Sequence, residues 1–157
     1  MREYIVTCCS TADMSRTFME TNEVPFAMFH YQLDGKEYAD DLYSSISPEV
    51  FYKMIGDGAQ PVTSQVNAEA YCALFEPVLK SGKDVLHLTL SSGISGSINS
   101  ANVAKAQMEE KYPNRRVMVV DSLAASSGYG MLVEQTLENQ RAGMSLEENA
   151  AWIVAHR

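Results

Sequence analysis

An α/β fold, with a mainly parallel sheet flanked by helices, is predicted by three observations in this 157-residue sequence. Short apolar and β-branched runs recur along the chain: YIVTC, PFAMFHYQL, DVLHLTL and RVMVV. Segments with the apolar spacing of helices lie between most of them, the alternation that βαβ units and right-handed crossovers require. Polar, small-residue stretches follow the strands, at Cys9–Thr11, Ser91–Ser97 and Asp121–Ser122. In such sheets ligands bind at the carboxyl ends of the strands. These stretches are therefore expected to meet there, joined by the Thr63–Ser64 loop.

Tyr4 to Cys8 reads as a short buried strand, with β-branched and aromatic residues throughout. Asp13 to Glu20 reads as a short helix and Pro25 to Leu33 as a second strand. Asp34–Gly35 is a turn pair that folds Lys36 to Tyr38 back as a hairpin. Ser47-Pro48-Glu49 opens a helix: a capping hydroxyl, proline in the first turn, then an acid at the positive end of the dipole. That helix runs to about Ile55. Gln60 to Val66 reads as a loop. Asn67 caps the next helix, whose Ala70, Leu74 and Val78 are expected to face the core. Ser81–Gly82 ends it, and Asp84 to Leu90 is an apolar strand. The helix after the serine-rich turn carries Ile98, Ala101, Ala104 and Met108 on one stripe. Arg116 to Val120 is the next strand. A long helix spans about Ala125 to Gln140, with Gly143 as its stop. Ser145-Leu-Glu-Glu148 fits a capping box and opens the last helix.

Hydrophobic residues make up 46% of the chain and charged residues 20%, enough apolar surface for one packed domain over residues 1–157. A net charge of −8 repels phosphate backbones and argues against nucleic-acid binding. No apolar run is long enough for stable membrane insertion. The start, MREYIVTCCS, has no secretory pattern, so a cytoplasmic protein is expected. The three cysteines, Cys8, Cys9 and Cys72, lack C-x-x-C spacing and read as reduced thiols, the first two on opposite faces of a strand. His30, His87 and His156 lack metal-ligand spacing, so no metal and no cofactor is expected; His87 reads as a core residue. Trp152, Ile153 and Val154 place large apolar residues close to Arg157, which reads as part of a longer protein.

The stretch Leu86 to Ala104, LHLTLSSGISGSINSANVA, carries the candidate chemistry. The first amides of a helix lack intrahelical partners and bear partial positive charge. Gly93 and Gly96 are expected to supply close approach or unusual φ angles, and Ser92, Ser95 and Ser97 hydroxyl donors. Such a turn suits a phosphate or a carboxylate. The P-loop is excluded, because no lysine follows Gly96, and the dinucleotide fingerprint is incomplete. The nucleophile elbow G-x-S-x-G is matched except at its last position, and Asp121 and His156 follow Ser95 in hydrolase order. A serine hydrolase acting through Ser95 is therefore the alternative, with a phosphotransferase-like domain and a ligand-free interaction domain further off.

Several motifs in order resemble the DegV family of lipid-binding proteins. They are Thr63-Ser64-Gln65, Ser91-Ser92-Gly-Ile-Ser95-Gly-Ser97, Ser100–Ala101, Val119-Val-Asp121-Ser122, the opening Ser10-Thr-Ala-Asp13, and Tyr38-x-Asp40. The resemblance implies a DegV-type N-terminal domain that binds one long-chain fatty acid. It also implies presentation of that acid to a separate fatty acid kinase for acyl phosphate formation, with no catalysis by this chain. By position it places the carboxylate on Thr63 and Ser95, with Ser64, Ser92 and the amides of Gly93 and Gly96 nearby. The tail would lie in an apolar tunnel shared with a C-terminal domain absent from this chain. A sixteen-carbon tail would contribute roughly 10 kcal/mol at ~0.8 kcal/mol per CH₂, before ordering costs. The nine methionines suit such a lining or ordinary core filling alike. Cys9 departs from the family, which usually has aspartate there, and puts that carboxylate's role in doubt.

Overall fold

The computed structural model describes residues 3–157, so Met1 and Arg2 of the N-terminal stretch lie outside the described residues. In chain order the elements are β1 (Tyr4–Cys9), α1 (Arg16–Thr21), β2 (Phe26–Ala27), β3 (His30–Leu33), β4 (Lys36–Ala39), α2 (Pro48–Gly56), β5 (Val62–Ser64), α3 (Ala68–Lys80), β6 (Asp84–Thr89), α4 (Ser97–Lys111), β7 (Val117–Asp121), α5 (Ser126–Arg141) and α6 (Leu146–His156). A four-stranded parallel sheet has the order β2-β1-β6-β7, and a three-stranded antiparallel sheet has the order β4-β3-β5. The α/β class and the parallel sheet thus match the sequence reading.

The centre of the parallel sheet is buried on both faces. All six residues of β6 are buried, which is why this segment reads as a continuous apolar run rather than an alternation. His87, within it, is fully buried. Its Nδ1 lies 2.9 Å from the Thr7 hydroxyl, and its ring meets Tyr71 and Phe75 edge-on. Cys8 and Cys9 are both buried and free. Helices α5 and α6 dock through a buried amide network: Asn149 donates to the Thr136 carbonyl at 2.8 Å and to the Tyr4 hydroxyl at 3.0 Å, and Asn139 donates to Asn149 at 3.1 Å.

The sequence reading departs from the structure at several elements. The single strand expected over Pro25–Leu33 is two strands in different sheets. The break falls at Phe29, whose amide turns away from any ladder to donate to Ser10 Oγ at 3.1 Å. The loop expected over Gln60–Val66 contains β5, which pairs with β3. Its three residues are exposed, so no alternation marks them as a strand. Helix α1 begins at Arg16, because Ser15 caps it by accepting from the Phe18 amide; a 3-10 turn over Ser10–Ala12 fills the gap. The core face of α3 is Tyr71, Phe75, Val78 and Leu79, with Ala70 exposed: the larger side chains take the sheet face. Ile98 lies only half-buried, while Ala101, Ala104 and Met108 are buried as expected. The Asp34–Gly35 hairpin, the Ser47 and Asn67 caps and the Ser145–Glu148 capping box all form. Asp34 and Gly35 have φ of 51° and 76°, the two positive angles of a type I′ turn.

Gly130 on α5 lies against the 3-10 turn. A Cβ there would stand 2.7 Å from the Ala12 carbonyl oxygen and 2.6 Å from Met14 Sδ. Alanine in a helix gains about 1 kcal/mol of propensity over glycine, but overpacking costs ~1–3 kcal/mol. The backbone oxygen cannot swing aside, so the clash decides the sign: Gly130→Ala is expected to lower the urea midpoint.

Burial lowers the His87 pKa from about 6.5 to about 3. The unfolded chain therefore binds this proton first as pH falls. The stability contribution is complete above pH 6.5 and is lost toward pH 3, at up to ~1.4 kcal/mol per pH unit. Urea unfolding between pH 6.5 and 4.5, above the ordinary carboxylate range, should show this slope, and His87→Gln should flatten it.

Candidate functional site

The carboxyl edge of the parallel sheet is where the polar stretches gather. At the end of β1, the Cys9 amide donates to the Tyr129 hydroxyl at 3.0 Å, and that hydroxyl donates to the Leu88 carbonyl of β6. The Cys9 thiol lies 3.4 Å from the Tyr71 hydroxyl and 3.8 Å from His87 Nε2. Burial pushes the thiol's pKa up, so Cys9 is a neutral group inside a polar knot.

The serine turn is organised mostly by its own groups. Asp121, at the end of β7, accepts from the Ser92 amide at 3.1 Å and the Leu123 amide at 3.0 Å. Partial burial pushes the Asp121 carboxyl up. Hydrogen bonds from the Ser92 hydroxyl and these two amides, with the Arg157 charge, outweigh it and hold the pKa below the usual carboxylate value. Leu123 sits at φ 50°, a left-handed backbone that costs a residue with a Cβ roughly 1–2 kcal/mol. The Gly93 amide donates to Ser91 Oγ at 3.2 Å, and the Ser97 amide to Ser95 Oγ at 3.2 Å. Among the described residues, these bonds leave the Gly96 amide unclaimed.

Neither Gly93 nor Gly96 has a positive φ, against the expectation of unusual backbone angles. The feature of Gly96 that holds is close approach to a neighbouring segment. A Cβ there would lie 3.0 Å from Gln65 Oε1 and 3.1 Å from its Nε2. The Gln65 side chain thus lies across Gly96 and joins the β5 segment to the serine turn. Thr63 and Ser64 are exposed on β5, and the Ser64 hydroxyl makes a long 3.4 Å bond to the His30 carbonyl. Ser95 is half-buried and Ser92 exposed. Thr63, Ser64, Ser95 and Gly96 therefore lie on two abutting segments, while Ser92, the Gly93 amide and Ser95 Oγ, as acceptor from Ser97, are engaged within the turn. Gln65 carries this contact and was absent from the residues selected by sequence; its place in Thr63-Ser64-Gln65 was the available signal. Ser91 and Tyr129 were missed as organisers of the edge, and no local pattern marks them.

The hydrolase order Ser95, Asp121, His156 does not assemble. The His156 ring stacks on Trp152 at 4.0 Å, with Nδ1 2.7 Å from the Trp152 carbonyl oxygen. Among the described residues, neither His156 nor the Asp121 carboxylate is hydrogen-bonded to Ser95. No group of three or more His, Cys, Asp or Glu among them is placed to hold a metal, and no helix is long and apolar enough to cross a membrane. Thr63 also lines a half-open cavity of about 270 Å³, bounded by β3, β4, α2 and the turn after β1.

Two small-residue segments thus abut at the carboxyl edge of a parallel α/β sheet, the edge at which ligands bind in sheets of this class. A family model described as "Uncharacterised protein, DegV family" matches residues 5–157, and the chain belongs to the DegV family. A DegV domain-containing protein of Clostridium perfringens is 31% identical over all 157 residues, which cover 54% of that protein. A stearic acid-binding protein from Eubacterium ventriosum superposes with a TM-score of 0.87 at 28% identity, over 97% of this chain and 52% of that one. A fatty-acid-binding DegV family protein from Thermus thermophilus superposes at 0.84 with 33% identity, over 99% of this chain and 53% of that one. The chain spans about half the length of the curated relatives it matches.

Asp121→Ala removes the acceptor of two amides, and the turn loses its tie to β7. Amide hydrogen exchange at Ser92 and Leu123 is expected to speed up at least about 10-fold, the equivalent of ~1.4 kcal/mol, with exchange in β6 unchanged.

Proposed function

We propose that this chain binds a long-chain fatty acid and holds its carboxylate between the Thr63 segment and the serine turn. The observation that carries the reading is the Gln65 side chain lying across Gly96, which brings the two segments together at the carboxyl edge. In this arrangement the Thr63 and Ser95 hydroxyls and the Gly96 amide donate to the acid. Ser64 flanks them, and Ser92 and Gly93 keep the turn in shape through Asp121 and Ser91. A carboxylate suits such donors without a full positive charge opposite it. Relatives of known structure that bind stearic acid and other fatty acids support the ligand class. The chain acts as a carrier, with no chemistry of its own, in the cytoplasm. It presents the acid to a separate kinase that forms the acyl phosphate, and a C-terminal domain, like the other half of its relatives, closes over the tail.

Thr63→Ala combined with Ser95→Ala should weaken stearate binding by about 10-fold or more, since hydrogen bonds to charged groups are worth ~1.5–3 kcal/mol each. Isothermal titration reads the affinity, and near-ultraviolet circular dichroism checks that the fold is intact. Unchanged affinity with an intact fold defeats the assignment of the acid to these residues. Covalent labelling of Ser95 by a fluorophosphonate would favour the hydrolase instead.

A further inference from the structure

Helix α2 is attached to the domain unlike the longer helices. It carries Val50, Phe51, Tyr52, Met54 and Ile55, yet none of its nine residues is buried. Helices α3, α4, α5 and α6 each bury at least four. Val50 is 50% and Tyr52 67% exposed. The other face of α2 looks across the cavity of about 270 Å³ toward the three-stranded sheet. Ile46 and Phe51 line that cavity from the helix side, and Phe29, His30 and Tyr31 from the opposite side. Phe51 meets Tyr31 edge-on, with ring centroids 5.4 Å apart.

The polar bonds of this segment close on themselves. Among the described residues, every hydrogen bond and ion pair of residues 44–60 is made within residues 41–60. Ser47 caps the helix, Lys53 pairs with Asp57 at 2.5 Å, and the Gly58 and Ala59 amides donate to the carbonyls of Ile55 and Met54. At the entry the Asp41 carboxylate accepts from the Ser44 and Ser45 amides at 2.9 and 3.1 Å and from the Ser45 hydroxyl. Arg16 of α1 donates to the Asp41 carbonyl at 2.6 Å, and Leu42 is buried, so both belong to the body of the domain. Tyr43 follows at φ 64°, and the exit passes through Gly58 at φ 106°, where a Cβ would meet nothing within 4 Å. Hinges are a few loop or element-terminal residues that absorb a backbone rotation. A segment with little buried surface opens more easily than the core.

We propose that residues 43–60 form a flap: α2 swings as one body away from the three-stranded sheet, hinged at Tyr43 and Gly58 and latched by the Asp41 carboxylate, and so uncovers the cavity. The motion follows from the packing and the hydrogen bonds; that its passenger is a fatty acid rests on the reading above. The latch spans the entry hinge, because its acceptor lies before Tyr43 and its donors after it. Opening breaks those bonds and the Tyr31–Phe51 contact, while the helix keeps its own cap and ion pair.

Amide hydrogen exchange tests the flap directly. The amides of α2, each corrected for its intrinsic rate, should exchange at least about 100-fold faster than those of β6. Equal protection in the two elements overturns the proposal. Asp41→Ala should speed exchange over residues 44–59 by about 10-fold more, because it removes bonds to a charged acceptor, and should leave α1 and β6 unchanged. No change over residues 44–59, or a rise throughout the domain, overturns the latch. Stopped-flow mixing with cis-parinaric acid, a fluorescent fatty acid, reads the gate. The binding rate of the parent chain should level off as the acid is raised, and Asp41→Ala should lift that plateau at least about 3-fold. A rate that climbs without levelling, or an identical plateau in the variant, overturns the gating role. Failure of the parent chain to bind the acid at all sinks the carrier reading, and the exchange result then decides the flap alone.

Discussion

Where the strands of a parallel sheet end, the ladder stops and the backbone amides beyond it need new acceptors. The carboxyl edge of this domain is built around that requirement. Tyr129 takes the Cys9 amide, Ser10 takes Phe29, Asp121 takes Ser92 and Leu123, Ser91 takes Gly93, and Ser122 takes Ala124. Most of the hydroxyls that make this region conspicuous in the sequence serve the backbone. The Gly96 amide has no such duty, and the Ser95 hydroxyl accepts from the Ser97 amide with its own hydrogen left over. An edge of this kind is held in shape by its own hydrogen-bond accounting.

The elements legible in the sequence were those whose signals are local. The Ser145 capping box, the Asn67 and Ser47 caps and the Asp34–Gly35 turn each involve residues within four positions of one another, and all are present. The misread elements depend on distant partners. Strand β5 exists only because β3 offers it an edge, and the division of Pro25–Leu33 is set by Ser10, nineteen residues from Phe29. The same holds at the candidate site. The two loops were visible as motifs, yet the Gln65–Gly96 contact and the turn-ordering roles of Ser91 and Tyr129 are tertiary facts. At Gly96 the expected close approach holds and the unusual φ does not: its backbone is ordinary, and the neighbour is a side chain thirty-one positions earlier.

Cys9 sits in a neighbourhood built for an uncharged group. A carboxylate at this position would need donors or a cation around it. Here the surroundings are the Tyr71 hydroxyl, a desolvated His87 and a raised thiol, all uncharged at neutral pH. The end of β1 is held by neutral contacts through Tyr129 and Ser10.

The two segments that flank Gly96 differ sharply in how firmly they are anchored. The serine turn is tied to β6 and β7 in the heart of the domain, whereas Thr63 rides on three exposed residues paired only with β3. That short ribbon is held by few ladder bonds, while the turn is continuous with the core strands. The asymmetry leaves one side of Gly96 fixed and the other, over residues 62–64, the easier to displace.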